Sequence, residues 1–441
     1  MNTILIKNTD IVTLNAAGDI LRNTDIVICG NTIQSIGPAD PGLKADESMD
    51  GTGLVALPGF WNAHTHASMT FERSYGDDLP LDRWFNEKIW YAESALTERD
   101  VLLGAELAAA EMIRNGTMGF ADHYFYMDRV AEVVEKSGLK ALLALCVFGL
   151  PSEVGTNLEG ALDFAKRFQN SADGRIKTCL GPHAPYTCPR DFLEKIGEIA
   201  QRERLGIHIH AAESEDQFRA SLERYGKSPV LYLNSLGLFE GPGQKIAAHC
   251  IAVDENDIEL LARKGVSAVQ CPGCHMKLAM GVTPAVAMLS AGVNVALGTD
   301  GAASNNNLDM LEEARLAALL QKMQRRDATA LAGDLPLRMA TQNGARAMGF
   351  ENSGQIVPGA AADIVFFDFR RPHLRPRHSL VGNLLYSANS GDIRHSMIAG
   401  KFVMKDFVIL TLDEERILKE AEDSAFAMIA RAHKTLRTYE K

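Results

Sequence analysis

The chain carries little that would tie it to a membrane, a nucleic acid or an oxidising compartment. No uninterrupted apolar run approaches the roughly 18 to 20 residues of a spanning helix, which argues against a membrane protein. The first ten residues reach Lys7 and Asp10 before any signal-type apolar core could form, so a cytoplasmic protein is expected. Basic residues are outnumbered, with 45 Lys and Arg against 56 Asp and Glu for a net charge of -11, and they form no block. That excludes nucleic acid as the main partner and leaves small molecules. Cysteine is sparse and odd in number, seven in 441 residues, which argues against a disulfide scaffold. What remains is a globular balance of 46% hydrophobic and 23% charged residues, in a chain too long for one small domain.

Short alternating segments at 3–7, 11–14, 25–28 and 32–36, parted by Asn, Gly and Asp, read as β-hairpin material. The same texture returns at 363–369 and 393–404, where Ala399-Gly400-Lys401 suits a tight turn. The two β-rich pieces can pair, which predicts a small β-sandwich domain from 1–56 and 355–410, followed by a C-terminal helix over 411–441. Between them, apolar runs at 54–62, 118–124, 141–148, 176–181, 206–210, 245–250, 266–270 and 294–298 alternate with amphipathic stretches such as 99–115 and 191–201. Eight strand–helix units predict an α/β fold, a parallel (β/α)8 TIM barrel over 57–354.

Barrels of this kind carry their chemistry where the strands end on the C-terminal side. The first run ends in Asn62-Ala63-His64-Thr65-His66, and the alternation of a strand turns His64 and His66 to one face, where they can share a cation. The fifth run gives His208-Ile209-His210 with Glu213 three residues on, the sixth ends at His249, and the eighth at Thr299-Asp300-Gly301. One buried histidine is an ordinary core residue. Five such groups, His64, His66, His210, His249 and Asp300, at the ends of four strands form a constellation. Three imidazoles and a carboxylate suit zinc, with iron or manganese as alternatives. His208, one pleat deeper, reads as a packed core histidine, and His123 as either core or support for the site.

The residues around this constellation carry a family resemblance. Leu57-Pro58-Gly59-Phe60-Trp61-Asn62-Ala63-His64-Thr65-His66 resembles the first-strand signature of the amidohydrolase superfamily. So does Ser353-Gly354-Gln355-Ile356-Val357-Pro358-Gly359, running into Ala362-Asp363-Ile364-Val365. Met69-Thr70 through Asp77-Asp78-Leu79-Pro80, Glu93 after Tyr91-Ala92, Gly181-Pro182-His183-Ala184-Pro185-Tyr186 and Gly298-Thr299-Asp300-Gly301-Ala302-Ala303-Ser304-Asn305 are similar to the 5'-methylthioadenosine/S-adenosylhomocysteine deaminase group and its aminated-heterocycle relatives. The resemblance implies His64, His66, His210 and Asp300 as ligands of one divalent metal ion. It implies Glu213 as the group that reaches a substrate ring nitrogen and His249 as the hydrogen-bond partner of the attacking oxygen. Glu93 and His183 would hold ribose hydroxyls, and Trp90 would line the purine pocket. Lys177 stands at the start of the fourth run rather than its end, which favours one metal over a bridged pair. A homo-oligomer is implied only by analogy with paired barrels of the group.

The expected reaction is hydrolytic deamination at C6 of an adenine nucleoside by a metal-activated hydroxide, with Asp300 taking the water's proton and Glu213 shuttling one to the ring. Candidate substrates are 5'-methylthioadenosine, 5'-deoxyadenosine and adenosine. S-adenosylhomocysteine fits less well: relatives that take it commonly place an arginine before the fourth strand, yet none occurs from Val130 to Lys166, and Asn157 stands near that place. The family's Leu-Arg-Gly after Met-Thr is also altered, to Phe71-Glu72-Arg73-Ser74. Two alternatives stay open, the same site acting on a pterin, guanine, cytosine or s-triazine, and an inactive metal-stabilised binding protein. Cys271-Pro272-Gly273-Cys274-His275 matches a haem-attachment or redox string on paper. With no export signal, and with Lys277-Leu278 following as after the family's Pro-Thr-Ser-Asn-like turn, it is assigned to the loop bounding the pocket.

Overall fold

Residues 2–149 and 157–439 are described by the computed structural model, with side chains through 434. The N-terminal segments form β1 (Thr3–Val12), β2 (Ile20–Cys29), β3 (Thr32–Ile36), β4 (Glu47–Asp50) and β5 (Leu54–Pro58). Alternate isoleucines, Ile4 and Ile6 on β1 against Ile28 and Ile26 on β2, face one way and bury into a core of their own.

The chain then enters a parallel barrel of β6 (Phe60–Thr65), β7 (Thr117–Tyr124), β8 (Lys140–Val147), β9 (Ile176–Pro182), β10 (Gly206–Ala211), β11 (Lys245–His249), β12 (Ser267–Gln270) and β13 (Val295–Leu297), paired in chain order. Every residue of β6, β7, β8 and β10 is buried, as expected of strands packed on both faces. Side chains draw the last strand to the first. Asn62 Nδ2–H donates to Thr299 Oγ1 at 2.7 Å, Thr299 N–H to Asn62 Oδ1 at 3.0 Å, and Asp300 N–H to the His64 carbonyl at 3.0 Å.

The chain returns to the first sheet through β14 (Ile364–Asp368), β15 (Ile393–Ile398), β16 (Lys401–Lys405) and β17 (Val408–Ile409), giving the order β17-β16-β15-β14-β5-β1-β2-β3 with β4 beside β1. The turn at 399–401 joins β15 to β16, with Ala399 and Gly400 both left-handed. One expectation is corrected. The run 54–62 is not a single barrel strand: it divides at Gly59, with Leu54–Pro58 in the outer sheet and Phe60–Thr65 in the barrel. A side chain at 59 would place its Cβ 2.0 Å from Met118 Cγ, so only glycine passes between the two sheets there.

Asp363 joins sheet to barrel at the foot. Its carboxylate meets Lys140 Nζ at 2.5 Å, accepts from Ser353 Oγ–H and from Ala399 N–H at 2.8 Å each, and its carbonyl accepts Gly59 N–H at 3.1 Å. This gives the Ala362-Asp363-Ile364-Val365 motif a physical reason. The final helix, Glu414–Tyr439, lies on the helix Glu98–Arg114 through Arg416–Glu106 at 2.8 Å and Ser424–Asp100 at 2.9 Å. Among the described residues no helix is long and apolar enough to cross a membrane. All seven cysteines are free thiols.

Candidate active site

His64 and His66 leave the end of β6, His210 sits near the end of β10, and Asp300 follows β13. His66 Nε2 lies 3.3 Å from His210 Nε2 and 3.1 Å from Asp300 Oδ1, and His64 Nε2 lies 3.3 Å from that same oxygen. A tetrahedral zinc ion with bonds of about 2.0–2.1 Å holds its ligand atoms about 3.3 Å apart, so this donor set fits one.

The far side of each ring decides which nitrogen carries the hydrogen. His66 Nδ1–H donates to the His123 carbonyl and His210 Nδ1–H to the His183 carbonyl, both at 2.7 Å. Their Nε2 atoms therefore face inward. His64 Nδ1 meets His208 Nε2 at 2.8 Å, while His64 Nε2, buried and not aligned with Asp300, has no hydrogen-bond partner. A cation would satisfy that atom. His208 is buried as expected and also orients His64. His123 supports the site through its carbonyl, with its own Nε2–H given to the Gly181 carbonyl at 2.9 Å.

The charges are unevenly shared. Burial alone would depress the His66 imidazole, but the Asp300 carboxylate outweighs it and pushes His66 up to about 9. Burial, with His66 and His249 nearby, brings His210 down to about 4. Burial would raise Asp300, yet His64 and His66 hold it well below the usual carboxylate range. Its second oxygen accepts from Ser304 Oγ–H at 2.7 Å and from the Cys274 thiol at 3.0 Å. His249 and Asp300 have φ of 74° and 60°. A side-chain-bearing residue in that region costs on the order of 1–3 kcal/mol, strain of the kind that concentrates at functional sites.

Glu213 stands just past β10, outside the ligand cluster. Tyr186 Oη–H and Gln217 Nε2–H both donate to Glu213 Oε2 at 3.0 Å, and Glu213 N–H donates back to Gln217 Oε1 at 3.2 Å. The clamp leaves Oε1 on the side of His249, whose Nε2 is 3.8 Å away. Gln217 is placed by the helix Glu215–Tyr225, which Ser214 caps.

These groups open into a cavity of about 800 Å³, within the range of small-molecule sites. Phe85, Ile89 and Glu93 line it from one helical stripe at i, i+4 and i+8. Glu93 is pushed up to about 7 by burial, with the Tyr124 hydroxyl beside it. Glu72, in the altered turn after Thr70, is buried with no hydrogen-bond partner on either oxygen, and burial, reinforced by Glu93, pushes its carboxyl group well up. His183 also lines the cavity, stacked on Phe148 at 4.7 Å with Nδ1 against Thr187 Oγ1 at 2.8 Å.

Trp90 is a correction. It is 49% exposed and lies off the lining stripe, packing edge-on against Phe85 at 5.1 Å and against Phe148 at 5.7 Å; those two rings face the cavity instead. Arg219 is the one lysine or arginine among the described lining residues, and it is paired with Asp216 at 2.6 Å. The segment Val130 to Lys166, which carries no arginine, includes residues 150–156, outside the described residues.

Tyr186, Ser304, Cys274 and His275 stand in sequence motifs that give them no individual role in the site, and Gln217 stands in none. Only Gln217 and Ser304 had a local signal, each lying four residues beyond a candidate acid, one helical turn away.

A barrel whose strand ends gather three histidines and an aspartate defines a metal-dependent hydrolase class. The chain belongs to the amidohydrolase family, which matches residues 55–403. It is 47% identical to a 5-methylthioadenosine/S-adenosylhomocysteine deaminase of Pelotomaculum thermopropionicum, over 98% of this chain and all of the relative. It is 45% identical to a 5'-deoxyadenosine deaminase of Methanosarcina mazei, over the same shares. The crystal structure of an adenosine deaminase from Xanthomonas campestris with bound zinc superposes with a TM-score of 0.91 at 33% identity, covering 98% of each chain.

Proposed function

We propose that this chain deaminates an adenine nucleoside with a neutral 5' group, such as 5'-methylthioadenosine, 5'-deoxyadenosine or adenosine. The observation that carries the reading is the clamped Glu213, a carboxyl group that the ligand cluster does not need, held with one oxygen toward His249 at the floor of a nucleoside-sized cavity. The relatives named as deaminases of such nucleosides support it.

His64, His66, His210 and Asp300 would hold one divalent cation, with zinc favoured by the donor set and by the zinc-bound relative. Such an ion supplies a hydroxide equivalent at neutral pH by acidifying water. Of that water's two protons, Glu213 would take one and pass it to the purine ring nitrogen as C6 accepts the new C–O bond. Asp300 would take the other, which returns through Glu213 to the exocyclic nitrogen, so that the C6–N bond breaks and ammonia leaves with both protons accounted for. His249 donates to the oxygen as charge develops on it. Glu93 accepts from the ribose hydroxyls and His183 closes around them, while Phe85 and Phe148 provide the faces on which the base packs. Among the described residues the cavity lining carries several carboxylates and one arginine, paired with Asp216, which favours neutral 5' groups over the zwitterionic end of S-adenosylhomocysteine.

The test is ammonia release, with loss of the adenine absorbance band, from metal-loaded protein given 5'-methylthioadenosine, 5'-deoxyadenosine, adenosine, S-adenosylhomocysteine, a pterin and an s-triazine. The neutral nucleosides should show the highest kcat/KM. No ammonia from any adenine nucleoside would sink the reading, and faster turnover of a ribose-free ring would move it to another heterocycle.

A further inference from the structure

Next to the ligand cluster lies a second convergence of metal-binding atoms, of which the deamination reading uses only one residue. His249 presents Nε2 to Glu213, but Nδ1, on the other side of its ring, meets His275 Nε2 at 3.2 Å. Cys271 Sγ completes the group. The three donor atoms lie within 4.8 Å of one another, and all three residues are buried.

Local structure explains why they meet. Cys271 caps the short helix Pro272–Lys277, and His275 N–H donates to the Cys271 carbonyl at 2.9 Å, so residues i and i+4 stand on one face toward the end of β11. Cys274 is already engaged, its thiol given to Asp300. Cys271 and Cys274 are both free thiols.

We propose that His249 Nδ1, Cys271 Sγ and His275 Nε2 form a second cation site, for a thiophilic transition-metal ion such as zinc, distinct from the catalytic one, whose ligands do not include His249. One thiolate and two imidazoles are a borderline-soft donor set, and the 3.2 Å between the nitrogens is close to the roughly 3.3 Å that tetrahedral zinc imposes. Leu278 and Met280, just beyond the helix, line the cavity, as does His249. Binding forms two nitrogen bonds and one sulfur bond. The Cys271 thiol proton leaves to solvent, and the hydrogen shared by the two rings moves to the outer nitrogen of the ring that carries it, so no oxidant or reductant is needed. With Nδ1 engaged, His249 keeps its hydrogen on Nε2, the side from which it faces Glu213.

The test is titration of chelator-treated protein with Zn²⁺ and, in parallel, Cd²⁺, following ions per chain by elemental analysis and the cadmium–thiolate charge-transfer band in the ultraviolet. Wild type should bind two ions, the band growing with the weaker one. Cys271→Ser should bind one ion and show no band. His275→Asn, which restores the residue type of the family's turn, should weaken the second ion by about 10–100-fold while keeping the first. His66→Ala should weaken the first ion and keep the band, which separates failure of this inference from failure of the catalytic assignment. Neither the stoichiometry nor the band rests on the deaminase reading. One ion per chain at saturation in wild type overturns the proposal. So does a second ion bound equally well by Cys271→Ser.

Discussion

At the foot of the barrel, Asp363 is buried and receives Lys140, Ser353 and a backbone N–H, so that charge meets charge and donors meet acceptors. At the mouth, under comparable burial, His64 Nε2 has no hydrogen-bond partner, ring nitrogens face one another at 3.3 Å, and His249 and Asp300 sit in left-handed backbone. The foot is satisfied by its own residues and holds two sheets together. The mouth is left unsatisfied, and that is what fits it to take up a cation and a substrate. Buried polar groups therefore differ in meaning according to whether their partners are already present.

The sharpest way to break this contrast is Glu213→Gln. Loss of the proton shuttle should lower kcat by about 10²- to 10⁴-fold while bound metal, measured by elemental analysis, stays at the wild-type level. His210→Ala should do the reverse and empty the site of metal. At the foot, Asp363→Ala strands Lys140 without a counter-charge and should cost about 3–5 kcal/mol in denaturant unfolding, with little change in kcat of the folded fraction.

A smaller effect sharpens the electrostatics. Glu93 has an acid pushed up to about 7, and its carboxylate form is the better acceptor for two hydroxyls, so nucleoside affinity should rise as pH climbs through about 7. Glu93→Gln should erase that limb of the kcat/KM profile and raise KM by about 10–100-fold. The smallest expected change is Tyr186→Phe, which removes one of two donors to Glu213 Oε2 and should slow turnover about fivefold, or about 1 kcal/mol. If Tyr186→Phe matched Glu213→Gln, the clamp rather than the carboxyl group would be the decisive element.

Strand periodicity made much of this readable in advance. His64 and His66 share a face because they are two apart, and seven of the eight apolar runs coincide with barrel strands to within about two residues. The eighth, 54–62, misled because periodicity cannot show a chain stepping from one sheet to another; that depended on the contact of Gly59 with Met118, 59 residues away. Trp90 misled for a related reason. Which face of the helix meets the cavity is decided by packing, and the stripe of Phe85, Ile89 and Glu93 turns Trp90 aside. The carbonyls that set the tautomers of His66 and His210, and the pairing of Tyr186 with Glu213, join residues far apart in the chain and leave no local pattern to read.

The pairing of β5 with β14, Pro58 opposite Ile364, has a consequence for biosynthesis. About 300 residues separate the two partners, so at ribosomal rates of roughly 5–20 residues per second the open edge of β5 waits on the order of 15–60 s for its neighbour to emerge. During that interval the nascent N-terminal strands are an unprotected template for intermolecular pairing, and chaperone demand should fall most heavily on this early stretch of translation rather than on the barrel that follows it.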